Sequence, residues 1–165
     1  MLISEMQEKQ RNLDEYIAEK KHLGNPYDTK HYEAGKLALY RELGEFAEAT
    51  KCFKTWSNKG PEPKERILDE MADCLHFMLK MMNFEDRLYK DEFMDNPEGM
   101  KAYVAHRTLV QLINKAFYQI SNENWLNLYY ALIDVCIKLR YTKQEVEETY
   151  LKKLGVNYKR QEENY

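Results

Sequence analysis

Glycine and proline are scarce in this chain, six and four among 165 residues, and much of that punctuation falls between long stretches of helical period. Alternating β-branched runs are missing too, which argues against a sheet. No apolar run approaches the roughly 20 residues that cross a bilayer. The start, Met1-Leu2-Ile3-Ser4-Glu5, turns polar at once, so the expectation is a cytoplasmic protein with no membrane partner. Cysteine is limited to Cys52, Cys74 and Cys136, widely spaced and without a CxxC pair, a pattern of reduced structural thiols. Positive charge is not in excess: 25 basic against 28 acidic side chains leave a net charge of −3. Without a basic field, a polynucleotide partner is not suggested. A phosphate-binding glycine loop, internal repeats and low-complexity segments are also lacking.

What remains is 44% apolar and 32% charged, enough to bury a core in one domain covering residues 1–165. The pattern predicts an all-α bundle of about six helices. Ser4 and Gln7 resemble a capping box opening a segment that runs to Gly24-Asn25-Pro26,. A second helix is expected over about 27–52, with Leu39, Leu43, Phe46 and Ala47 as its apolar stripe,. Gly60-Pro61-Glu62-Pro63 turns the chain into a third helix, about 64–83, burying Ile67, Met71, Cys74, Leu75, Met78 and Met82,. Residues 84–99 read as a charged surface excursion, followed by helices near 100–120 and 122–140. Thr142 and Glu145 make a further capping box for a helix expected to stop at Gly155, leaving a flexible tail over about 156–165,.

Two acidic words stand out within this pattern, Glu42-Leu43-Gly44-Glu45 and Glu70-Met71-Ala72-Asp73. Carboxylates at i and i+3 lie on one helical face about a turn apart. Such pairs are common on solvated helices, but both words border an apolar stripe. The short turn between their helices also favours antiparallel packing that would bring them together. Four hard oxygen donors in one volume repel one another unless a cation sits among them, and oxygen-only ligands favour magnesium, or manganese, over zinc. Phe77 falls on the same strip as Glu70 and Asp73. His76 follows Asp73 by three, yet no second acid-x-x-His word exists, so a di-iron bundle is disfavoured. His76 is then a hydrogen bonder at the site edge or a structural histidine. Lys153, Asn157 and Arg160 near the end read either as a solvated basic terminus or, beside a carboxylate-bound metal, as donors for a polyphosphate,.

The runs Glu42 to Ala47, Cys52-Phe53-Lys54-Thr55-Trp56-Ser57-Asn58-Lys59 and Ile67 to Phe77 resemble the dimeric all-α dUTPases of bacteria and phages. That family lies within the MazG-like nucleoside triphosphate pyrophosphatases. Tyr150, Lys153, Asn157, Arg160 and Gln161 fit the family's Tyr-x-x-Lys and Asn-x-x-Arg-Gln ending. The acidic words alone would indicate only the superfamily; the Phe-Lys-x-Trp-Ser and His-Phe segments with the tail specify dUTPase. The resemblance implies hydrolysis of dUTP to dUMP and pyrophosphate by a metal-activated water. Glu42, Glu45, Glu70 and Asp73 would be ligands of two or more magnesium ions, with Glu45 taking the water's proton. Phe77 would stack on uracil, His76, Trp56 and Lys59 would lie about the nucleoside, and Lys153, Asn157 and Arg160 would hold phosphates. Gln10 and Asp14 are the candidates for reading the base, with Gln7 and Asn12 as rivals. A homodimer is implied, and some phage-borne members bind a repressor. Two other readings stand beside this one: an all-α pyrophosphatase of another nucleotide such as dCTP, and a helical regulator-binding (repressor-binding) protein, a role that could coexist with catalysis.

Overall fold

A computed structural model describes residues 1–95 and 97–163 of the chain. Asn164 and Tyr165, the end of the expected tail, lie outside the described residues. Among those described there are seven α-helices, a short 3-10 turn and no strand. The helices are α1 (Ile3–Lys20), α2 (Tyr32–Thr50), α3 (Lys64–Asn83), α4 (Pro97–Ala105), α5 (Leu109–Ser121), α6 (Trp125–Lys138) and α7 (Lys143–Glu162). None is long and apolar enough to cross a membrane.

Helix α3 is the axis of the molecule, packing against α1, α2, α6 and α7. Its sequence explains why: Ile67, Met71, Cys74, Leu75, Met78 and Met82 are all buried as their 3.6-residue period predicts,. Helix α2 runs antiparallel to it, since Gly35 lies beside Lys80 and Met81 while Glu42 and Glu45 lie beside Glu70. A methyl group at Gly35 would stand 3.0 Å from the Met81 sulfur, so glycine there is what permits the close approach of α2 to α3. Leu43 and Phe46 fill the seam between them, both fully buried.

Four boundaries differ from the sequence expectation, each for a physical reason. The stretch expected as one helix near 100–120 is two, because the Thr108 hydroxyl accepts from the Gln111 backbone amide and the Gln111 side chain accepts from the Thr108 amide, restarting the helix there,. At the amino terminus the cap is not Ser4 with Gln7: Glu5 accepts from the Leu2 amide at 2.7 Å, and Gln7 is buried elsewhere. Residues 84–95 are not a mere surface excursion. Tyr89, Phe93 and Met94 are buried, and the strip is tied to the amino terminus by Ile3 N–H to Asp91 O and Phe93 N–H to Met1 O at 2.9 and 3.0 Å. Finally, α7 does not stop at Gly155 but continues to Glu162. A glycine inside a helix costs about 1 kcal/mol relative to alanine. Here Tyr150 and Lys153 are buried before it, and the Tyr158 ring packs 5.3 Å from Tyr16 beyond it, so packing on both sides outweighs that cost.

Candidate active site

Helices α1, α2, α3 and α7 enclose a cleft of about 560 Å³. Its acidic end comes from the two sequence words. Ligand oxygens of Glu42, Glu45 and Glu70 lie within 4.8 Å of one another. Glu42 and Glu70 are held there because each sits on the buried margin of its helix, beside Leu43 and Met71. Burial raises the pKa of Glu42 above its ordinary value, reinforced by the charges of Asp73, Glu45 and Glu70 and opposed by Arg41. Glu70 is raised in the same way, by burial first and then by Asp73 and Glu45 against Arg66. Such mutual repulsion is the electrostatic condition a divalent cation relieves. Two arginines also pair with the group: Arg41 donates to Glu42 at 2.8 Å and to Glu45 at 2.6 Å, and Arg66 pairs with Glu70. The donor set is hard oxygen throughout, which fits magnesium or manganese.

Asp73 stands a little apart from that trio. Its carboxylate is 2.7 Å from Lys153 Nζ, and the same ammonium donates to Asp69 at 3.0 Å. Burial raises Asp73, and the Lys153 hydrogen bond pulls it partly back. Burial alone would depress Lys153, but its bonds to Asp73 and Asp69 outweigh this and raise it. Lys153, Asn157 and Arg160 share one face of α7, as i, i+4 and i+7 must, and all three line the cleft. The continuation of α7 past Gly155 is what places the last two.

The other end of the cleft is polar but almost without exposed charge. Gln10 and Asp14 line it from α1 and are both buried. Of the rivals, Gln7 spends its amide on Arg87 O and the Tyr89 N–H, at 2.8 and 2.9 Å, and Asn12 is exposed on the far side. His76 Nδ1 is 2.6 Å from Gln10 Oε1. That oxygen can only accept, so the histidine carries its proton on Nδ1. The ring stacks on Tyr150, centroids 4.5 Å apart. Burial drives its pKa down to about 3, so it is a neutral orienting group and not an acid or base. Phe77, half-buried, forms part of the wall between the two ends. Trp56 and Lys59, expected near the nucleoside, are not brought into this cleft. Trp56 is 76% exposed, with its ring 6.2 Å from that of Phe53, and Lys59 is exposed in the loop that follows α2.

Sequence reasoning missed Arg41, Arg66, Asp69 and Lys80, and named Gln161 only as part of the family's ending; all of them line the cleft. Two carried a signal: Asp69 lies four residues before Asp73 and Lys80 three after Phe77, hence on the same strip of α3. A wall of carboxylates facing a cationic helix, with a hydrogen-bonded Gln10–Asp14–Lys80 group at the far end, is chemistry for a nucleotide polyphosphate. The family described as dUTPase matches residues 2–165, so the chain belongs to the all-α dUTPase family and is a nucleoside triphosphate pyrophosphatase. No curated protein matches it.

Proposed function

We propose that this member of the dUTPase family hydrolyses dUTP to dUMP and pyrophosphate in the cleft between α1, α2, α3 and α7, with magnesium held by Glu42, Glu45, Glu70 and Asp73. The observation that carries this reading is the convergence of three carboxylate oxygens within 4.8 Å in the same cleft as Lys153, Asn157, Arg160, Gln10 and Asp14. Bound magnesium supplies Lewis-acid neutralisation of phosphate charge and a water of lowered pKa. The chain's own groups do the rest. Lys153, Asn157 and Arg160 donate to phosphate oxygens from one helical face. Lys153 exchanges part of its contact with Asp69 and Asp73 for the substrate. Glu45, the most open carboxylate of the trio, accepts the proton of the attacking water. The bond between the α- and β-phosphates breaks, water adds across it, and pyrophosphate leaves. Phe77 offers its ring to the base, while His76 holds Gln10 in one orientation.

The protein acts as a homodimer in this reading. The apolar surface of Leu37, 70% exposed on α2, and Tyr118, 63% exposed on α5, is the face a second copy would cover. Trp56 and Lys59 reach a nucleoside only through such a copy.

The test is pyrophosphate release across the deoxynucleoside triphosphates, with magnesium and with chelator. Turnover of dUTP that needs the metal is expected. Turnover of dCTP with dUTP untouched would overturn the substrate, and full activity in chelator would overturn the metal.

A further inference from the structure

The cleft contains one charged side chain whose role neither the acidic words nor the tail explains. Lys80 Nζ lies 3.1 Å from Asp14 Oδ1, on α3 one turn beyond Phe77. Its side chain is one-fifth exposed, and it lines the cleft. Gln10 Nε2 donates to the same Asp14 oxygen at 3.2 Å, and the Tyr27 hydroxyl donates to the other at 2.8 Å. Asn83 Nδ2 in turn holds the Tyr27 oxygen at 3.2 Å. The orientation of Gln10 is fixed from both sides. Reversing its amide would bring an oxygen against the Asp14 carboxylate and leave His76 Nδ1 without its acceptor.

Hydrogen-bond capacity then decides what this end of the cleft can offer. A carboxylate has about four acceptor sites, and Tyr27, Gln10 and Lys80 use three. The Gln10 amide has two hydrogens and uses one on Asp14. The Lys80 ammonium has three and uses one there. What is left is one donor on Gln10, acceptor capacity on Asp14 and donors on Lys80, side by side around the Asp14 carboxylate. A uracil edge presents carbonyl, N–H, carbonyl, which is the complement. A cytosine edge presents carbonyl, bare nitrogen, amino group, which sets an acceptor against Asp14 and a donor against one of the cations or amides.

We propose that Lys80 is a specificity-determining residue, donating to one flanking carbonyl of the uracil edge while Asp14 accepts the ring N–H and Gln10 donates to the other carbonyl. This rests on the dUTP reading above and names the group that enforces it. Tyr27 and Asn83 are positioning residues: Tyr27 holds one Asp14 oxygen and Asn83 holds Tyr27. A site built on paired donors and acceptors rejects an analogue with the wrong pattern far more strongly than an apolar pocket can, because the mismatch leaves buried polar groups unpaired.

The experiment compares kcat/KM for dUTP and dCTP in the parent and in Lys80→Met, which keeps the length of the side chain and removes its donors. The dUTP:dCTP ratio is expected to fall on the order of 10- to 100-fold, mainly through KM for dUTP, with kcat for dUTP little changed. A purely structural Lys80 would lower both nucleotides alike and leave the ratio where it was, and that result overturns the proposal. If Lys80→Met does not fold by thermal unfolding, Lys80→Gln and Lys80→Leu decide instead. Lys80→Gln cannot carry the charge but still donates, so a dUTP:dCTP ratio at the parent's value with an unchanged KM is the expected result for a donor role. Lys80→Leu removes the donor, and it overturns the proposal if the ratio stays at the parent's value. A parent that does not turn over dUTP would sink the dUTP reading itself. A parent that does, with an unmoved ratio in Lys80→Met or Lys80→Leu, would sink only the assignment of Lys80.

Discussion

At one end of the cleft Glu42, Glu45 and Glu70 crowd within 4.8 Å; burial and neighbouring carboxylates raise Glu42 and Glu70, and Arg41, Arg66 and Lys153 oppose that. At the other end, ten residues along α3 or about 15 Å, Asp14 is tied by Tyr27, Gln10 and Lys80 at 2.8 to 3.2 Å. The first region is left electrostatically incomplete, the second nearly satisfied. Incomplete charge recruits a cation and a charged substrate. A satisfied network cannot recruit, but it holds a fixed pattern of donors and acceptors against which substrates are sorted. Metal binding and chemistry belong to the acidic end and recognition of the base to the other, and substitutions should separate the two.

The largest effect falls on the acidic end. Glu45→Gln or Glu70→Gln should lower kcat for dUTP by roughly 10³-fold with the fold intact, measured by pyrophosphate release. Near-parental kcat in either would remove the metal site from the mechanism. Lys153→Met comes next. It leaves Asp69 and Asp73 facing each other with no buried ammonium, and kcat/KM should drop on the order of 100-fold. Stability should fall by about 2 kcal/mol in denaturant unfolding, less than for a fully buried pair because Asp73 is partly open,.

A pH series sharpens the contrast from the other side. His76 is held neutral in the fold, its pKa down at about 3, whereas in the unfolded chain it titrates near 6.5. Between those values the unfolded state binds the extra proton. Stability from this group is therefore full above pH 6.5 and declines as pH falls, by roughly 1.4 kcal/mol per unit. Glu42, Glu70 and Asp73 slope the opposite way. Their folded pKa values are raised, so the unfolded state loses protons first and stability drops as pH climbs through their range. Comparing the parent with His76→Gln isolates the histidine: the difference in slope below pH 6.5 should vanish above it.

Tyr27→Phe removes one hydrogen bond from Asp14 and should cost about 1 kcal/mol, with KM for dUTP rising several-fold and kcat steady. A change in kcat instead would tie the base end to the chemistry. Smallest of all, Trp56→Ala should alter unfolding free energy by under about 0.5 kcal/mol, as its exposure implies. A large loss of dUTP turnover in that variant would place the loop at the site of a second copy.

The acidic end was legible in the sequence because its residues are local. Each word fits within one helical turn, and the apolar stripe beside it says which way it faces. The same locality made α3 readable from Ile67 to Met82. The base end was legible only in part. Gln10 and Asp14 could be named, but what fixes them comes from Tyr27, His76, Lys80 and Asn83, brought together only by packing of α1 on α3. Lys80 reads alone as one more surface lysine. The tail shows a third situation, in which local rules misled: Gly155 is a good stop signal, and tertiary contacts of Tyr150 and Tyr158 overrode it.

The most direct test of this division of labour is the dUTP:dCTP ratio of kcat/KM in Glu45→Gln. If chemistry and discrimination sit at separate ends, activity falls steeply for both nucleotides and the ratio stays at the parent's value. A ratio that collapses along with the activity would contradict the account, because the acidic end would then be reading the base.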